Sequence, residues 1–355
     1  MRHSLGQLLR HATAGVLSLA AVWASCGSPA AAPAPEAGSI PFDLRHRAVQ
    51  HGGIVRAANS SITCRARQKS CSDVREGKAG VNGDFDMHYI DVDSDPNTYN
   101  SSRAAVRLPS GSRVTYARLY WGGNLRVGEQ KPSGDNGRVL IAEPGGEYKE
   151  VLADTIVGHR VTDDADAFQA SADVTSLVRD SGSGLYTVAQ VNVAAGQSAA
   201  GAWGGWTLVV VYENQSEPLR QIALWDGFAA LRSRGEDLRL AGLNIADGAS
   251  GQVGLVAYNG DRGTTGDSLV VTGPSGSTSL GDGANPRDDV LNSTISGPGT
   301  GSRVPDYGNT LGYDSDVFDV GRGVLGAGTD AALRLTSGAD AAWAGVLFLA
   351  ADARR

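Results

Sequence analysis

The 355 residues carry 38 acidic and 31 basic side chains, a formal net charge of −7. That balance lacks the basic face that non-specific nucleic-acid binding requires. There are 48 glycines and 13 prolines, yet 41% of residues are hydrophobic, so the chain has many turns and still enough apolar material to fold.

Residues 1–30 read as an export signal. Arg2, His3 and Arg10 precede an apolar run from Ala12 to Trp23, and the small residues Ala24, Ser25, Cys26 and Gly27 follow. The run is shorter than the roughly 20 apolar residues of a spanning helix. Cleavage and secretion is the first reading. Lipid anchoring through Cys26 is the alternative, against which Trp23 and Ala24 match the lipoprotein pattern poorly. No transmembrane segment is expected in the mature chain. Residues 31–52 read as a Pro/Ala-rich linker, with ordered structure expected from near Gly52. Cys64 and Cys71 then form an even pair at a spacing suited to a small disulfide loop in an oxidising compartment. Two free thiols are the alternative.

Beyond the linker, strand patterns dominate. They fall at Phe85–Val92, Ala104–Leu108, Val114–Trp121, Arg138–Ala142, Tyr186–Val193, Trp206–Tyr212, Gln221–Trp225, Leu238–Leu243, Gln252–Tyr258, Ser268–Thr272, Ala332–Leu335 and Trp343–Leu349. Each is bounded by Gly, Pro, Asn, Asp or Ser. Ala172–Asp180 is the best helix candidate, capped by Ser171 or Asp173. Trp206–Tyr212 is apolar on both faces, as in a strand covered on both sides. The pattern predicts an all-β fold of the sandwich or jelly-roll kind with very little helix. Two packed lobes are expected, 53–215 and 216–352, divided at the polar stretch 213–218.

The sharpest chemical pattern is Asp91, Asp93, Asp95 and Asn97, oxygen-bearing side chains at every second position as in calcium loops. Asp84 and Asp86 stand just upstream as further candidate calcium ligands. Pro96 and Ser102 stand where an EF-hand has Gly and Glu, so a non-EF calcium site competes with a plain capped turn. Asp314, Asp316, Asp319 and Asp226 are weaker acidic groups that could complete a site in space, or serve a polysaccharide hydrolase as paired carboxylates. There is no Gly-x-Ser-x-Gly, His-Glu-x-x-His or Gly-x-x-x-x-Gly-Lys motif, and His46, His51, His88 and His159 show no metal spacing. The G-x-G-x-x-G match at Gly321, Gly323 and Gly326 reads as a turn, since no helix pattern follows. Among the tryptophans, Trp203 stands between glycines and is the candidate exposed ligand contact. Trp121, Trp206, Trp225 and Trp343 read as core.

Several segments recur in order: Gly83–Asp93, Asn100–Ser102, Leu108–Ser112, Ala117–Gly122, Gly205–Glu213, Trp225–Phe228 and Asn309–Asp316. Together they resemble an uncharacterised family of exported bacterial β-domains, found at the N-terminus of large adhesin-like surface proteins ahead of immunoglobulin-like repeats. The Cys64 and Cys71 loop is similar to that family's pattern. The resemblance implies location and fold more than chemistry. No repeats precede the final Arg355, which favours a freely secreted or lipid-anchored single module. The expected role is a secreted or surface-associated recognition or structural module for a glycan, cell-wall or exported-protein ligand.

Overall fold

The computed structural model describes residues 41–355 apart from 94, 163–164, 232–234 and 328–330. The expected signal peptide, Cys26 and residues 31–40 of the expected linker lie outside these residues. In the first half the chain forms β1 (Asp43–Ser60), β2 (Ile62–Cys64), α1 (Cys71–Arg75), β3 (Met87–Tyr89), β4 (Ser101–Val106), β5 (Arg113–Asn124), β6 (Arg138–Ala142), β7 (Lys149–Leu152), β8 (Thr155–Val161), β9 (Asp166–Asp173), α2 (Thr175–Ser181), β10 (Gly184–Ala189) and β11 (Gly204–Glu213). The second half contributes β12 (Leu219–Ala230), β13 (Glu236–Leu240), β14 (Gly251–Tyr258), β15 (Ser268–Gly273), β16 (Gly276–Ser279), β17 (Ile295–Ser296), β18 (Arg303–Val304), β19 (Tyr313–Val320), β20 (Ala331–Thr336) and β21 (Trp343–Asp352). The protein is all-β, as its alternation and turn residues predict.

Strand β1 corrects the linker reading. It begins at Asp43, well before Gly52, and is the hinge of the architecture. Residues 43–51 pair with β12, and residues 52–60 with β11, both antiparallel. The result is one continuous sheet in the order β17-β19-β14-β21-β12-β1-β11-β5-β9-β8. The switch of partners falls at Gly52, whose φ is 139°. A side chain there would meet the Tyr212 carbonyl oxygen at 2.0 Å, so close approach of the backbones requires glycine.

Alternation of side chains across each strand then builds layers. On β11, Trp206, Leu208 and Val210 enter one core with Ala117, Leu119 and Trp121 of β5 and with Val139, Ile141, Tyr186 and Val188 of the sheet β18-β4-β10-β6-β7. On the opposite face, Val209 meets Leu224 and Phe228 of β12, Val256 and Tyr258 of β14, and Val346 and Phe348 of β21. The two arms of the long sheet thus face each other. The far side of β12, β14 and β21 carries Trp225, Leu255 and Leu347 into a third core beneath the sheet β13-β20-β15-β16. Four layers enclose three large cores. Both arms are covered on both faces, which is why β11 and β21 are apolar at nearly every position.

Residues 213–218 connect β11 to β12, and the two halves they join are interlocked. β1 belongs to both arms, and β18 from the second half adds to the first-half outer sheet by pairing with β4. The helix is shorter than expected. Ala172 and Asp173 end β9, and Asp173 Oδ1 accepts the Thr175 N–H at 2.8 Å as α2 begins.

A fourth, smaller cluster closes one end. Ile62, Val74, Phe85, Met87 and Leu311 surround a Cys64–Cys71 disulfide with a Cα–Cα distance of 5.8 Å. Closing so short a loop contributes about 2–3 kcal/mol in the chain-entropy model.

Candidate functional site

The acidic turn does gather its predicted residues, and they hold one another. Asp91 Oδ1 accepts the Ser101 hydroxyl at 2.8 Å. Asp93 Oδ1 accepts the Asp95 N–H at 2.9 Å and the Thr98 hydroxyl at 3.2 Å, while Asp93 Oδ2 accepts the Tyr148 hydroxyl. Asp95 Oδ1 accepts the Asn97 N–H at 2.9 Å. Burial acts to raise the Asp93 pKa, but the donors Tyr148, Asp95, Ser101 and Thr98 outweigh it and hold the carboxyl below its ordinary value. Asp84 and Asp86 are not brought in: Asp86 pairs with Arg65 at 2.5 Å, and the charge of Asp84 bears on Asp261. Among the described residues, no three His, Cys, Asp or Glu side chains are grouped to hold a metal ion.

This turn forms one wall of an open groove of about 510 Å³ on the solvent face of the outer sheet. The floor is Arg103 of β4, Ala142 of β6 and Thr187 of β10, whose neighbours in sequence point inward to the core. Glu147 and Tyr148 form the other wall. Both charge signs and an aromatic ring therefore meet on one accessible surface. The sequence hid this because Arg103, Tyr148 and Asp93 lie in separate segments without a shared spacing.

Trp203 corrects the exposed-contact reading. It is fully buried, and its ring centroid lies 5.6 Å from that of Tyr258. Its flanking glycines mark close backbone approach: a Cβ on Gly204 would meet Gly122 O at 2.8 Å, and one on Gly205 would meet Asn59 O at 2.6 Å. Trp121, Trp206, Trp225 and Trp343 are also buried, as core residues should be.

The remaining acids separate by role. Asp226 is sealed between the arms of the long sheet. It accepts Arg45 Nε at 2.7 Å, Arg45 Nη2 at 3.0 Å and the Tyr120 hydroxyl at 3.0 Å. Asp319 meets Gln252 at an exposed edge, while Asp314 and Asp316 are completely buried. None of the four forms an open pair of carboxylates with another. Residues 321–326 form a turn, and the next element among the described residues is β20.

A second buried acidic group spans the loops 259–267, 288–289 and 337–340. Asp340 Oδ2 accepts the Asp261 N–H at 2.9 Å, and Asp289 Oδ2 the Gly263 N–H at 3.0 Å. Burial, then the charges of Asp267 and Asp261, push the Asp340 carboxyl up to about 8. Burial, with Asp84, Asp267 and Asp289, pushes Asp261 up to about 6. Arg262 is the cation near Asp289. Carboxyls raised in the folded state bind protons that the unfolded chain releases, so their stabilisation is complete below the ordinary carboxyl range. It is lost as pH rises through 6 and then 8. The melting temperature should fall by several degrees between about pH 5 and about pH 8.5. Asp340→Asn should flatten that slope, and an unchanged slope in thermal melts would contradict this account.

These features define a disulfide-closed, layered all-β module whose charged residues are largely committed to holding loops and sheets together. Residues 74–277, more than half of the chain, match the family model described as "Protein of unknown function (DUF3344)", and the protein belongs to that family. No curated protein matches the sequence. Among solved structures, one from the Sulfolobus turreted icosahedral virus is 9% identical, covering 84% of this chain and 90% of that one, with a TM-score of 0.20. PNGase F, a glycosylasparaginase from Flavobacterium meningosepticum, is 12% identical over 75% of this chain and 95% of its own, with a TM-score of 0.19. Likeness at that level carries no argument about fold or activity. The disulfide fits an oxidising, extracytoplasmic environment. No helix among the described residues is long and apolar enough to cross a membrane.

Proposed function

We propose that the protein is an exported, surface-associated recognition module that binds a polar glycan of the cell wall or its surroundings. The observation that carries this reading is the open groove lined by Asp93, Asp95, Arg103, Glu147 and Tyr148, with the Tyr148 hydroxyl bonded to Asp93. An aromatic face flanked by Arg103, Glu147 and Asp95 offers stacking together with hydrogen-bond donors and acceptors. Sugars present the complementary surface, apolar C–H faces edged with hydroxyls. The layered core beneath the groove supplies a rigid floor, so little ordering cost opposes binding. Export rests on the sequence of residues 1–30 together with the disulfide. An adhesin-like setting rests on the resemblance described above.

Pull-down on purified cell walls and soluble polysaccharides tests the reading. Wild-type protein should be retained, and Arg103→Ala combined with Tyr148→Ala, which removes the aromatic face, should weaken retention at least about tenfold in protein that still melts cooperatively. Equal retention of wild type and variant, or none by any polysaccharide, would remove the groove as a glycan site. Release of reducing ends from the same polysaccharides would move the protein to the hydrolase class.

A further inference from the structure

Strand β19 places Asp314 and Asp316 two residues apart, so both side chains leave the same face of the sheet. Both are completely buried. Thr294 lies against both: its N–H donates to Asp314 Oδ1 at 3.1 Å, and its hydroxyl lies 3.1 Å from Asp316 Oδ1. Ser296 adds its N–H at 2.8 Å and its hydroxyl at 2.9 Å to the same Asp316 oxygen. The second oxygen of each carboxylate, Oδ2, is buried with no hydrogen-bond partner among the described residues. A buried, unpaired carboxylate oxygen is costly, and native folds rarely leave one so.

A separate observation concerns the oxygens around Thr294. Its hydroxyl has a single proton but faces three acceptors, Asn285 Oδ1 at 2.7 Å, Asn292 Oδ1 at 2.8 Å and Asp316 Oδ1. Acceptors hold each amide nitrogen away from Thr294, Asp282 Oδ1 for Asn285 at 3.3 Å and a carbonyl for Asn292. Asn285 Nδ2 donates to Ser296 Oγ at 2.7 Å, and Asn292 Nδ2 to Ala284 O at 2.8 Å. Oxygens therefore converge here in excess of the protons available to join them. The charges of Arg56 and Arg303 bear on Asp316, but their hydrogen bonds go elsewhere. Arg56 Nη2 reaches Ser296 O and Thr300 Oγ1, and Arg303 pairs with Asp306 at 2.7 Å.

We propose that Asp314, Asp316, Asn285, Asn292 and Thr294 form a buried binding site for a divalent calcium ion, supplied entirely by oxygen ligands. Calcium takes six to eight hard oxygen donors in irregular geometry, and carboxylates mixed with amide and hydroxyl oxygens are of that kind. The absence of nitrogen and sulfur donors from the set disfavours zinc. Only two of these ligands are acidic, so a search for clustered acids points to the 91–97 turn instead. The bound ion would tie the 281–296 segment to β19, inside the second-half arm and away from the groove. The site goes beyond the recognition reading and does not depend on it.

The test uses the mature full chain. After dialysis against metal-free buffer, elemental analysis should find a single tightly held calcium per chain. EDTA should lower the melting temperature by several degrees, because an ion bound only to the folded state stabilises it. Asp93→Asn should keep the metal and the EDTA response, whereas Asp314→Asn should lose both. Should Asp314→Asn fail to fold, Asn292→Ala, which leaves both charges in place, should still show weakened calcium affinity. Absence of bound metal with identical melting in calcium and EDTA would overturn the proposal. So would a calcium response abolished by Asp93→Asn but kept by Asp314→Asn.

Discussion

Asp226→Ala is expected to cost about 3–5 kcal/mol, the range for removing one partner of a buried ion pair. The carboxylate is 3% exposed and joins three strands: β12, which carries it, β1 through Arg45 and β5 through Tyr120. Arg118, also buried, approaches it at 3.9 Å while pairing with Asp154. Removing Asp226 leaves Arg45 without its carboxylate partner and facing the like charge of Arg118, which keeps Asp154. It also strands the hydroxyl of Tyr120, a fully buried residue. The loss is uncompensated charge as much as lost bonds, so Asp226→Asn, which keeps an acceptor of the same shape, should be harmful too, though less so than alanine. Denaturant unfolding measures both. A cost below about 1 kcal/mol for alanine would mean that the network is not what holds the two arms together.

Trp203→Ala is expected to be comparably severe, about 3–5 kcal/mol, because it empties a large volume in the middle core. The space cannot collapse readily. Backbone from several strands already touches around it, with the Gly312 site lying 2.7 Å from Trp203 Cβ when a Cβ is built there. The Trp203 indole N–H is buried without a partner among the described residues. Trp203→Phe removes that orphan donor while keeping most of the apolar volume, and should cost less than about 1.5 kcal/mol. The pair separates a structural role from ligand contact. Glycan retention should persist in Trp203→Phe, and a selective loss of binding with unchanged melting would restore Trp203 as a contact residue.

The same residues show where sequence reasoning reached. Most second-half strands were legible because alternation and turn residues act locally: Gln252–Tyr258 against the observed Gly251–Tyr258 is typical. The disulfide was legible because seven positions of separation leave few alternatives. Apolar residues on both faces of Trp206–Tyr212 correctly indicated a strand between two cores. Strand β1 was not legible. Its charged residues and paired glycines look like linker, and only the fold supplies their partners, Asp226 for Arg45 and a fully enclosed pocket for Arg56.

The candidate sites divide along the same line. Asp91 to Asn97 stood out because its oxygens recur within one short turn, which is also why those oxygens can satisfy one another. The groove and the Asp314 site are assembled from segments far apart in the chain, and no local spacing encodes their convergence. Sequence by itself determined the β class, the positions of strands such as β5, β11, β14 and β21, the disulfide and the family. Burial decided the rest. Whether a glycine marks exposure or close contact, and whether an aspartate titrates in water or lies sealed between sheets, depends on neighbours that only the folded layers bring within reach.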